Sequence, residues 1–276
     1  MSLVTYHIHR HRNHFRRISY PASLWQKIYS LFLMPLGVVA IAMVAVKLFA
    51  VAVPVSSDTI SINTLLAALG FTLMRLGIAY ILAVLVSIPL AVLATASPTM
   101  EAMFLPMFDI FQSVPILAFF PVIILIFINV KFFTGAAITI LFLSMVWNIV
   151  FTLIGGINVI PRDIIAAAHL FGLWGWTYFW KVLLPAMVPQ LVTGSILAFA
   201  QGWNIIIVAE VLHTYIPHGT AAQDLFGIGS ILVSASAHGQ STVFLWALCI
   251  TIVAIALINF FIWQKLLRYA QRFRFE

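Results

Sequence analysis

Residues 163–210 read DIIAAAHLFGLWGWTYFWKVLLPAMVPQLVTGSILAFAQGWNIIIVAE, a sequence that pairs a helix-competent loop with a long apolar run. Its later part belongs to an apolar run, residues 183–211, that exceeds the roughly 20 residues a helix needs to cross the hydrocarbon of a bilayer. Its earlier part is helix-competent and partly amphipathic. Trp174, Trp176, Tyr178 and Trp180 suit a membrane interface, where one end of an aromatic ring is apolar and the other wet. Gly155, Gly156 and Pro161 open the loop that carries it.

Working outward, comparable apolar runs occupy residues 31–53, 72–94, 104–128, 134–154 and 242–263. The chain is therefore predicted to be an all-α polytopic membrane protein of about six transmembrane helices. Composition agrees. Hydrophobic residues make up 63% and charged ones 8%, against about 45–50% and roughly 25% in soluble domains. The third run contains Pro106, Pro115 and Pro121, which predicts a kinked or broken helix packed inside the protein. Residues 54–71 read as a short outer helix. Residues 212–241, with His213, His218, His238 and several glycines but no Lys or Arg, read as the long outer loop.

Orientation follows from the basic residues. Placing both termini in the cytoplasm puts eleven of the 14 Lys and Arg there: Arg10, Arg12, Arg16, Arg17, Lys27, Arg162, Lys181, Lys265, Arg268, Arg272 and Arg274. Only Lys131 then lies outside, as the positive-inside rule favours. The expected division is a basic cytoplasmic N-terminal tail over 1–30, a transmembrane domain over 31–263 with a loop at about 160–182, and a basic cytoplasmic tail over 264–276. The hydrophobic segment after the basic start is too long for a signal-peptide core, so it is read as a span. The net charge of +7 is accounted for by topology, and no nucleic-acid partner is expected.

No G-x-x-x-x-G-K-[ST], H-E-x-x-H or C-x-x-C occurs, so no catalytic, ATP-binding or metal motif is read. The GIG at 227–229 reads as a turn, and Cys249 as a small buried hydrophobe. His7, His9, His11 and His14 alternate in a basic tail, which makes a poor preformed metal site.

The stretch quoted first resembles the signature loop of bacterial ABC-importer permeases. That pattern is Glu-Ala-Ala, three residues, Gly, then twelve residues ending in Leu, then Pro. Here Ala166, Ala167 and Ala168 fill the triplet, Gly172 is the glycine and Leu184-Pro185 closes it. The glutamate is replaced by Ala166, with Asp163 one turn earlier. Arg75, QSVPILAFFPVIILIF (112–127), WNIVFTLIGGINVIP (147–161) and DLFGIGSILVSA (224–235) resemble the branch importing nitrate, sulfonates and taurine. The resemblance spans roughly residues 60–268. It implies a cytoplasmic coupling helix docking on a separate ATPase subunit through Asp163, Ala166, Ala167, Ala168, Leu170, Phe171, Gly172 and Pro185. Gly172 would end or bend that helix and Pro185 would open the next. It further implies a second permease subunit, identical or different, and an extracytoplasmic solute-binding protein. ATP and Mg would be bound by the partner ATPase and no cofactor by this chain. The expected location is a bacterial or archaeal plasma membrane, and the solute a small anion or organic acid. The alternative class is an ion-coupled secondary transporter or channel, which calls for carboxylates at mid-membrane.

Polar residues inside apolar runs are the remaining candidates. Gln112, Asn148, Gln201 and Asn204, with Trp203, are read either as lining a solute pathway or as interhelical hydrogen-bonding glue. Asp109 and Glu210 lie near span ends and are expected to be solvated. Arg75 is expected either to attract an anion or to snorkel to the outer interface, the second being favoured.

Overall fold

The computed structural model describes residues 60–130, 132–216, 219 and 223–273. The tail 1–30 with its histidines, the expected first span 31–53, Lys131, His218 and Arg274 lie outside the described residues.

Eight helices order the described chain: α1 Ile62–Ala94, α2 Pro98–Ser113, α3 Ile116–Asn129, α4 Phe133–Asn158, α5 Arg162–Leu170, α6 Gly175–Glu210, α7 Ile228–Ala237 and α8 Ser241–Phe273. The described residues contain no strand. Four helices, α1, α4, α6 and α8, are long and apolar enough to cross a membrane. The pair α2 and α3 bends by 83° at its break and makes a fifth crossing if taken as one span. The chain is thus an all-α polytopic membrane protein.

Local chemistry explains the boundaries. Ser61 and Ser97 cap α1 and α2, accepting from the backbone N–H groups of Asn63 and Met100. The break between α2 and α3 falls at Val114–Pro115. Proline carries no N–H and pushes its predecessor out of the helical region, and Val114 is extended at φ −72°, ψ 124°. Pro106 and Pro121 stay inside helices. The expected short outer helix at 54–71 is not separate. Residues 62–71 are the first turns of the 33-residue α1, because no breaker interrupts the apolar sequence there.

The helix α6 begins at Gly175, earlier than the apolar run alone implied, so Trp176, Tyr178 and Trp180 form its first turns. A π-helical turn at Phe179–Leu183 joins these turns to the rest: the Leu184 N–H reaches the Phe179 carbonyl, five residues back. The looser turn lets Pro185 sit within a continuous helix that it was expected to open. A second π turn, Asn259–Trp263, lies within α8, which runs on through residue 273.

The most enclosed helix is α4, which packs against α1 and α6. Lipid tails are as apolar as Leu, so spanning helices associate through close packing and interhelical hydrogen bonds. Both are present. A Cβ on Gly194 of α6 would overlap Thr152 of α4, and one on Gly202 would overlap Met145. The Tyr80 hydroxyl donates to Ser195 Oγ at 2.8 Å, and Ser87 Oγ donates to the Val146 carbonyl at 3.1 Å.

Candidate functional site

A cavity of about 600 Å³ opens where the α2–α3 break faces α4 and α6. Its lining joins Gln112, Ser113 and Pro115 from the break with Asn148 of α4 and Gln201 of α6. Phe111, Phe119 and Trp147 add aromatic wall, and the Phe111 and Trp147 rings are parallel to within 1°. None of the described lining residues is charged. The Asn148 amide donates to the Ser144 carbonyl at 3.3 Å, and its oxygen accepts from no described residue. Neither the Gln112 nor the Gln201 side chain hydrogen-bonds another described residue. Three of the five pathway candidates are therefore brought together.

The other two are placed elsewhere. Trp203 packs against the core, and Asn204 is exposed on a face of α6 with Leu197, Ala200 and Ile207. Three residues, just under one turn, separate a cavity-lining amide from an exposed one. Asp109 is exposed on α2.

The loop helix α5 forms a second feature. Ile164 and Ile165 pack on the core and Ala168 is buried, which seats the helix on the bundle. Asp163, Ala166, Ala167, Leu170 and Phe171 form the opposite, exposed face, with Leu170 88% and Phe171 84% exposed. Gly172 ends the helix at φ +72°. Its N–H donates to the His169 carbonyl, and the Leu173 N–H donates to the Ala168 carbonyl. This is a Schellman cap, whose left-handed position glycine adopts without a Cβ penalty. His169 stacks on Trp174 at 4.1 Å and so braces the loop after the cap. Pro185 lies on α6, beyond this exposed face.

The structure corrects two further expectations. Glu210 is fully buried and Arg75 is 4% exposed, and they form an ion pair at 2.7 Å. Neither is solvated or snorkelling. A lone charge in an apolar run is costly. Two of opposite sign in different runs were the available signal that each neutralises the other. Glu210 Oε1 also accepts from Thr72 Oγ1 at 2.7 Å, and its Oε2 accepts from the Gly229 N–H at 2.8 Å. Arg75 Nη2 donates to the Phe226 carbonyl at 2.9 Å, and Thr72 Oγ1 accepts from the Ile228 N–H at 2.9 Å. Among the described residues no His, Cys, Asp or Glu cluster is suited to a metal.

Comparison with known proteins agrees with this architecture. The family described as binding-protein-dependent transport system inner membrane component matches residues 83–272. A nitrate import permease protein of Leptolyngbya laminosa is 32% identical over 159 residues, which cover 58% of this chain and 56% of that protein. A bicarbonate transport system permease protein of Synechocystis sp. is 30% identical over 147 residues, 53% of this chain and 50% of that one. The chain spans about half the length of these curated relatives. A chain of an inward-facing methionine ABC transporter superposes with a TM-score of 0.60, covering 76% of this chain and 97% of that one at 20% identity. At that identity the likeness speaks for the fold alone.

Proposed function

The chain belongs to the family of binding-protein-dependent transport system inner membrane components, and from that premise we propose that it is the permease subunit of an ATP-driven importer, docking a separate ATPase through α5. The observation that carries the docking is the exposed stripe Asp163, Ala166, Ala167, Leu170 and Phe171 on a helix whose other side is seated on the bundle. Leucine and phenylalanine so exposed at the mouth of a membrane domain call for a protein partner. Asp163, one turn before Ala166 on the same face, supplies a carboxylate where the family pattern has its glutamate.

In this reading ATP and Mg are bound by the ATPase, and no cofactor by this chain. Closure of the ATPase pair displaces α5, and α6, which starts five residues after α5, moves with it. The cavity at the α2–α3 break then alternates in access. Gln112, Asn148 and Gln201 offer amide donors and acceptors to a solute shedding its water. The uncovered face with Asn204 meets a second permease subunit, since an amide facing lipid would be unfavourable. A binding protein delivers the solute from the outer side of a bacterial or archaeal plasma membrane, with both termini of this chain cytoplasmic. The nitrate and bicarbonate named for the relatives make a small anion or organic acid the solute class.

The test is Gly172→Val. A β-branched residue in the left-handed region costs about 1–2 kcal/mol, which unwinds the end of α5 without touching the bundle. Insertion in the membrane should be normal. Capture of the ATPase subunit should fall at least tenfold. Unchanged capture and transport would remove the docking role from this loop.

A further inference from the structure

The contacts of Glu210 tie α6 to its successor α7 and to α1, which lies 135 residues earlier at Arg75. Its carboxylate stands at the last residue of α6, meets Thr72 and Arg75 of α1, and accepts from Gly229 in the first turn of α7. The backbone continues the tie, with the Leu225 N–H donating to the Glu210 carbonyl at 2.9 Å. A helix leaves its first N–H groups unsatisfied. For α7, the Ile228 N–H goes to Thr72 and the Gly229 N–H to Glu210, so both acceptors come from other helices. Negative charge at that terminus is further favoured by the helix dipole. The approach is close enough to exclude side chains: a Cβ on Gly227 would overlap the carboxylate, and one on Gly229 would lie 2.8 Å from Ile207 Cα.

A buried ion pair is weak as a source of stability, because two desolvated charges cost nearly what their attraction returns. What such a pair does well is fix one arrangement against others. Here it fixes α7, a ten-residue helix otherwise seated on α1, α6 and α8, at the end of α6 remote from α5. A second tie, His213 Nδ1 at 2.8 Å from Asp224 Oδ2, holds the intervening loop only to itself.

We propose that Glu210, with Arg75 and Thr72, is the joint that makes α7 move as one body with α6, so that a displacement begun at α5 is delivered to the opposite face of the bundle. Glu210 is a positioning residue acting through α7. The inference rests on the docking of α5 for its purpose, though not for its geometry.

The experiment uses the assembled transporter with its ATPase subunit in lipid nanodiscs, in a background where Cys249 is Ser. Spin labels are placed at Lys181→Cys on α6 and Ser236→Cys on α7, both exposed. With Glu210 intact, and labelled chains diluted with unlabelled ones so that each transporter holds one labelled pair, the distance distribution should be single and narrow, with and without ATP and vanadate. Glu210→Gln leaves the buried Arg75 charge unpaired and should lower the assembled yield; in the complexes that do assemble, basal ATP hydrolysis should stay within twofold, while the width of the distribution at least doubles. A merely stabilising residue would lower the yield and leave the surviving molecules' width unchanged, and that result overturns the joint. If Glu210→Gln does not assemble, Thr72→Val is read in its place. It deletes one bond to the carboxylate and the acceptor of the Ile228 N–H, and unchanged width there overturns the joint equally. Protection of Phe171→Cys from maleimide by the ATPase subunit reports docking separately. Its absence alongside a narrow distribution with Glu210 intact, broadened in the variant, would remove the docking reading and leave the joint standing.

Discussion

Gln201 and Asn204 stand three residues apart on one helix and meet different surroundings. Gln201 lines the cavity with no side-chain partner among the described residues, whereas Asn204 is exposed on a face of α6 that the other described helices leave open. Replacing Gln201 with Leu removes no hydrogen bond within the described chain, so thermal stability should hold. Transport per assembled complex should fall about tenfold, equivalent to ~1.4 kcal/mol of barrier. Normal turnover in that variant would take Gln201 out of the pathway. A second residue-scale expectation concerns Gly229, which the close approach to Ile207 requires to lack a side chain. Gly229→Ala should cost about 1–3 kcal/mol by overpacking. An unshifted melting temperature would show that α7 can retreat freely from α6.

At the scale of elements, α5 illustrates how a short helix is held for docking. Its inner face is anchored by Ile164, Ile165 and Ala168, its end is closed by Gly172, and the His169–Trp174 stack braces the turn between α5 and α6. Asparagine tolerates the left-handed region far better than a β-branched residue does. Gly172→Asn should therefore retain most ATPase capture where Gly172→Val loses it. Equal loss in both would trace the defect to added volume and not to backbone strain. Between α1 and α6, the Tyr80–Ser195 hydrogen bond should contribute about 0.6 kcal/mol, the average for such bonds within membranes. Tyr80→Phe, measured by unfolding in mild detergent, should lose no more than about 2 kcal/mol.

For the whole molecule, the charges predict an orientation. Arg162, Lys181, Lys265, Arg268 and Arg272 lie at the α5 end of the described bundle, and His213 and His238 at the other. Reporter fusions after Phe273 and after His238 should report opposite sides of the membrane, with the Phe273 fusion cytoplasmic. A Phe273 fusion reporting from outside would invert the model of coupling altogether.

The features legible in the sequence are those whose causes are local. An apolar run of about 20 residues has few options but to span, because lipid satisfies no backbone group. A proline at 115 breaks its helix wherever the helix lies, and the glycine spacing after Ala166–Ala168 announces a helix end. The resemblance of that spacing to a coupling loop was therefore readable before any packing was known. Tertiary structure alone decided the rest. The α6 sequence is apolar on nearly every side, so its pattern could not tell the cavity face from the free face. Only the packing of α4 and the α2–α3 break separated Gln201 from Asn204. Arg75 and Glu210 stand 135 residues apart, and each alone read as a charge seeking water. Their burial follows from the meeting of α1, α6 and α7, which gives each charge its partner and most of its hydrogen bonds, Arg75 Nε going without one among the described residues.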